Sequence, residues 1–120
     1  MADAVLWIEQ LPDNPLDAAA NFYAKVLPGI QADFAKGLTR RNYTIVFQPA
    51  GHEHRAWRLA VVQELAREHA PSRVNALASD DEAAIRAALT YLDKAEGVTG
   101  QYLPLDGNGA VALLSQTDDQ

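Results

Sequence analysis

The chain predicts an α/β domain built on a parallel sheet of about four strands. Short apolar runs at residues 4–8, 43–47, 73–78 and 101–105 alternate with longer segments whose apolar residues recur every three or four positions. Parallel neighbours need a crossover of about a dozen residues or more, and every gap between the runs is long enough to supply one. The 120 residues, 48% hydrophobic and without a low-complexity tract or internal repeat, fit a single domain over residues 1–120 that buries about two-thirds of its unfolded surface.

Each element has a local reason. Ala4 to Ile8 is an apolar run of strand length, and Leu11-Pro12-Asp13-Asn14-Pro15 supplies a turn, a capping side chain and a proline for the first helical position. Leu16, Ala19, Tyr23, Val26, Leu27, Ile30 and Phe34 then share one face of a helix ending near Gly37, which Pro28 should kink or break near residues 24–28. Leu38 to Asn42 reads as a polar turn and Tyr43 to Phe47 as a strand. A helix over about Glu53 to His69 carries two apolar stripes, Trp57, Ala60, Val61 and Leu65 on one side and Leu59, Val62 and Ala66 on another. They read either as a second packing surface or as one wide buried stripe.

Arg73 to Ala78 is the third strand. Ser79-Asp80-Asp81-Glu82 has the Ser-x-x-Glu form of a capping box before a helix closed by Gly97. Gln101 to Leu105 contains Pro104, which places that strand at or near a sheet edge. Asp106-Gly107-Asn108-Gly109 favours a reversal, after which Ala110 to Leu114 returns as an extra antiparallel strand or docks as an extended tail.

Charge and composition narrow the partners. Sixteen acidic against ten basic residues give a net charge of −6, which opposes a phosphate backbone, so nucleic acid is not expected. The first nine residues lack a basic segment and are too short in apolar run for a signal peptide or a membrane span. With no cysteine there is no disulfide framework and no thiolate site. The expected setting is cytoplasmic, with no membrane partner.

Two stretches resemble a known family. Gly97-Val98-Thr99-Gly100-Gln101-Tyr102-Leu103-Pro104-Leu105-Asp106-Gly107 resembles the last strand of the short-chain dehydrogenase/reductase family. Arg67-Glu68-His69-Ala70-Pro71-Ser72-Arg73-Val74-Asn75-Ala76-Leu77-Ala78 resembles that family's E-x-A-P-x-R-V-N-A strand. Val26-Leu27-Pro28-Gly29-Ile30, followed by Tyr43 to Phe47, is similar to its Leu-Pro-x-Met/Ile element and next strand. The match runs over about residues 4–109, with strong motifs from about residue 59 onward. It implies a three-layer half-Rossmann domain, corresponding to the second half of the dehydrogenase sheet, whose first strand is an open edge. A full dinucleotide-binding fold of this family needs about twice the length.

The resemblance also says where chemistry should be sought. With Leu65-Ala66-Arg67-Glu68 as the counterpart of the family's L-A-x-E segment, its lysine falls at Arg55 and its proton-passing tyrosine at Gly51. The preceding strand ends Phe47-Gln48-Pro49-Ala50 where the family carries a serine. Gly107-Asn108-Gly109-Ala110-Val111-Ala112 satisfies G-x-G-x-x-A, but eleven residues after Gly109 cannot supply the crossover helix and ribose-binding acid that give the pattern its meaning. His52-Glu53-His54 has ligand chemistry with poor geometry, because histidines two apart diverge by about 200° on a helix. No cofactor, metal or catalytic residue is therefore expected.

Two functions remain as expectations. The first is a non-catalytic association domain, forming a homo-oligomer or joining another protein, with Trp57 and Val61 as candidate anchors. The second is a small-molecule site or new active site at the carboxyl ends of the strands, built from His52, His54, Arg55, Asn75, Ser79 and Asp80.

Overall fold

Four parallel strands, side by side in the order they occur along the chain, form the central sheet: β1 (Ala2–Trp7), β2 (Arg40–Phe47), β3 (Arg73–Ala78) and β4 (Tyr102–Pro104). The computed structural model describes residues 2–36 and 40–105, so the Asp106–Gly109 reversal and the strand or tail over residues 110–114 lie outside the described residues. β2 starts three residues earlier than the sequence pattern suggests, and Asn42 is buried within it opposite Arg73. The Pro104-bearing strand is at the sheet edge, where a residue without an N–H leaves no ladder bond unmade.

The helices form the two outer layers. One face of the sheet, with Tyr43, Ile45, Phe47, Val74 and Ala76, packs against α2 (Leu27–Ala35) and α3 (Arg55–Glu68), and α1 (Pro15–Asn21) lies against α3 on the same side. The other face, with Val46 and Leu77, packs against α4 (Glu82–Lys94). Since the strands advance in one direction while α4 lies opposite α1–α3, the third crossover has the opposite hand to the first two, a departure from the uniform right-handed rule. Without α4 the apolar face of Val46 and Leu77 would lie bare to water.

Between α1 and α2 the chain makes a π turn (Phe22–Val26), in which Leu27 N–H bonds to Phe22 O, five residues back. Pro28 then sits within the first turn of α2, where a missing N–H costs nothing. The expected kink is thus absorbed by one extra residue, and that residue moves the buried face. Ala18 and Phe22 are fully buried, whereas Leu16 is 81% and Tyr23 43% exposed. The face expected from uniform helical spacing holds from Val26 to Phe34 and fails before the turn, by about 100°.

The caps follow local chemistry. Asn14 accepts from Asp17 N–H at 3.0 Å ahead of Pro15, as the sequence implies. For α4 the capping residue is Asp81 instead of Ser79: its Oδ1 accepts from Ala83 and Ala84 N–H at 3.0 and 3.3 Å, while Ser79 Oγ accepts from Asp81 N–H. Asp81 prevails because its extended backbone, φ −95° and ψ 111°, stands directly before the helix. The helix ends at Ala95, two residues before Gly97.

The π turn makes a direct prediction. Phe22→Ala should lower stability in urea unfolding by about 3 kcal/mol or more, while Leu16→Ala should change it by less than about 0.5 kcal/mol. The reverse order would contradict the register shift.

Candidate functional site

The carboxyl ends of β1 and β2 open onto a cavity of about 150 Å³, bounded by the chain after β1, the chain after β2 and the start of α3. Leu11 and Pro12 come from the first, Gln48 to Gly51 from the second, and His54 and Arg58 from the third. In open α/β sheets this end is where ligands bind.

Two buried polar side chains shape it. His54, 4% exposed, precedes α3 in a 3₁₀ turn (His52–His54). Its Nδ1 accepts the Trp57 indole N–H at 3.1 Å, and its Nε2 is 2.8 Å from Asp13 O. A ring that accepts at Nδ1 and faces a carbonyl at Nε2 carries its proton on Nε2. His54 therefore pins the loop after β1 to α3. Arg58, 3% exposed, lies one turn further along: its Nη1 donates to Gln48 O and to the Tyr102 hydroxyl, both at 3.0 Å, and its guanidinium lies 4.4 Å from the Phe47 ring centroid.

Of the six residues expected at this end, only His54 lines the cavity. His52 and Arg55 are exposed on the rim of the turn, and His52 and His54 do not converge, since both nitrogens of His54 are engaged within the fold. Asn75 is fully buried and acts as a staple: Nδ2 donates to Val98 O at 2.9 Å and Oδ1 accepts from Gln101 N–H at 3.0 Å, joining β3 to the segment before β4. That segment turns at Gly100, whose φ of +74° favours glycine. Ser79 is buried in its turn and Asp80 is exposed.

The expected association anchors are also inside. Val61 is 1% exposed in the main core, and Trp57 is partly buried with its ring 5.5 Å from Phe22 and 5.6 Å from Phe47. Apart from Ala60, which is exposed, the two stripes of α3 form one wide face turned inward, and its solvent side carries Arg55, Ala56, Gln63, Glu64, Arg67 and Glu68.

Besides Leu16 and Tyr23, the exposed large apolar side chains among the described residues are on β1. Ile8 N–H donates to Val46 O at 2.9 Å, so in the β1–β2 register the even residues of β1 bond inward. Val5 and Trp7 point their backbone groups at the open edge. Their side chains, 39% and 57% exposed, stand on the face that α4 covers over β2 to β4 but not over β1.

A family model described as short chain dehydrogenase-like protein matches residues 6–105. The chain belongs to this short chain dehydrogenase-like family. No curated protein and no solved structure matches it. In this family member the position that the resemblance gives to the tyrosine is Gly51, where an added Cβ would lie 2.4 Å from the Glu53 carboxylate. The position of the lysine is the exposed Arg55. Among the described residues no three metal-ligating side chains group together, and no helix is long and apolar enough to cross a membrane.

Arg58, Gln48 and Tyr102 were not foreseen from sequence. The available signal was an arginine at the centre of the apolar series 54, 58, 61, 65, at spacings of four, three and four. The pinned histidine is testable: long-range ¹H–¹⁵N spectra should show His54 with a bare Nδ1 and a protonated Nε2, and the other tautomer would contradict the pin.

Proposed function

We propose that this protein works by association, with no redox chemistry of its own, and that its partner is a second copy joined through β1. Among the described residues no strand pairs with the outer edge of β1, and this edge carries the reading. Natural sheets blunt exposed edges with lysine, proline, bulges or a covering element. β1 has a register shift between Ala2 and Ala4 and then runs through Val5, Leu6 and Trp7 with neither lysine nor proline.

An antiparallel pair about a two-fold axis is the commonest homodimer symmetry, and it extends the sheet from four strands to eight. Charge chooses its register. Centred on Leu6, the pairing would set Asp3 against Glu9. Centred on Val5, it sets Val5 against Val5, Ala4 against Leu6 and Asp3 against Trp7, so no two carboxylates meet. Beside the strand, a groove of about 680 Å³ lined by Leu6, Trp7, Val26 and Tyr43 leaves the helix side of β1 open. The absence of redox chemistry rests on Gly51, which has no acid to offer, and on Arg55, whose guanidinium does not share a proton.

Light scattering over a range of concentrations tests the proposal. Wild type should give a dimer, and Val5→Lys or Trp7→Asp should give a folded monomer with at least about tenfold weaker association. A monomeric wild type, or a dimer indifferent to both substitutions, would sink it.

A further inference from the structure

Among the described residues, the buried charge of Arg58 has no anion opposite it. A guanidinium stays protonated in proteins, and this one is 3% exposed. Its neighbours are ring faces, with Phe47, Trp57 and Tyr102 centroids at 4.4, 5.7 and 5.9 Å. Its acceptors are the neutral Gln48 carbonyl and Tyr102 hydroxyl, and its buried Nε–H has no acceptor among the described residues. Among the described residues, the ion pairs use Lys36, His52, Arg67 and Arg86, and no carboxylate pairs with Arg58. Rings and neutral acceptors spread a positive charge without neutralising it, and an unneutralised buried ion is costly. A protein that keeps an arginine there, where hydrophobic residues already line the stripe, gains something besides packing.

Arg58 lines the cavity at the strand ends. We propose that this cavity binds a small monocarboxylate, with the guanidinium as its charge partner. The guanidinium fork suits carboxylate and phosphate alike, and the surroundings separate the two. The rim carries the exposed carboxylates Glu9, Asp13 and Glu53, whose field disfavours a dianion more than a monoanion. Leu11, Pro12, Pro49 and Ala50 supply apolar wall for a short carbon tail. The space, about 150 Å³, corresponds to about five water volumes, which suits a carboxylate of three or so carbons. His54 borders the same space with both nitrogens engaged, so it shapes the cavity without holding the ligand. The site lies at the strand ends, not along the β1 edge, and does not depend on dimer formation.

The test is a titration of the whole chain with sodium propionate at constant ionic strength, read on the indole N–H resonance of Trp57, which bonds the cavity-lining His54 and is present in wild type and variants alike. Propionamide, sodium phosphate and sodium hexanoate serve as comparisons. The expected result is a saturable shift with propionate, none with propionamide, and binding at least about tenfold weaker for phosphate and in folded Arg58→Lys. Should Arg58→Lys not fold, the paired substitution Glu9→Gln with Glu53→Gln carries the charge test, tightening propionate about twofold or more. No saturable shift with propionate, an equal response to propionamide, phosphate binding as tightly, or indifference to the rim charges would each overturn the assignment.

Discussion

The Arg58 guanidinium connects three parts of the fold that are distant in sequence. From the first turns of α3 it reaches the carbonyl that follows β2 and the hydroxyl on β4, and it covers Phe47 between them. Its reach depends on the position of β4, which the Asn75 staple and the Gly100 turn establish against β3. The aromatic cluster of Phe22, Phe47 and Trp57 then closes over the same helix face. A charge at the centre of an apolar stripe is tolerable only when its hydrogen bonds are supplied from outside the helix. Here the carbonyl after β2 and the hydroxyl on β4 both accept from Nη1, and the buried Nε–H has no partner among the described residues.

The distribution of helices over the sheet creates the second functional feature. Three helical segments crowd one face, and α4 crosses to the other with a crossover of the opposite hand. It reaches β2, β3 and β4, and among the described residues nothing covers that face of β1 or pairs with its outer edge. The outer edge of β1 and the strand-end cavity lie at different places on the sheet, with Glu9, Gln10 and Leu11 bordering both the cavity and the groove beside β1. Both follow from the way a short chain dehydrogenase-like sheet of four strands is covered; of the family's tyrosine and lysine positions, Gly51 borders the cavity and Arg55 does not.

Strand order, helix number and the edge position of Pro104 were legible in the sequence because each rests on local signals: apolar runs of strand length, gaps of crossover length, and a residue that cannot donate. The buried face of α1 was not, since the π turn shifts the register by one residue and uniform spacing nominates Leu16 and Tyr23 in place of Ala18 and Phe22. Ser79 and Asp81 are both good caps by residue type, and only backbone conformation separates them. The site was the least legible part. Asn75 and His54 are polar residues near strand ends, and sequence does not distinguish a staple from a ligand contact. Arg58 was passed over because a charged residue within a helix reads as a solvent position. Only the convergence of β2, β4 and α3, distant in sequence, reveals that it is buried.

If Arg58 is the tie between α3 and β4, its bond to Tyr102 must carry coupling energy that neither residue holds alone. A double-mutant cycle with Arg58→Met and Tyr102→Phe, measured by urea unfolding, isolates that quantity. The account predicts a coupling of about 1–2 kcal/mol. Additivity within about 0.3 kcal/mol would show that the two side chains do not depend on each other, and the central role given to Arg58 would fail.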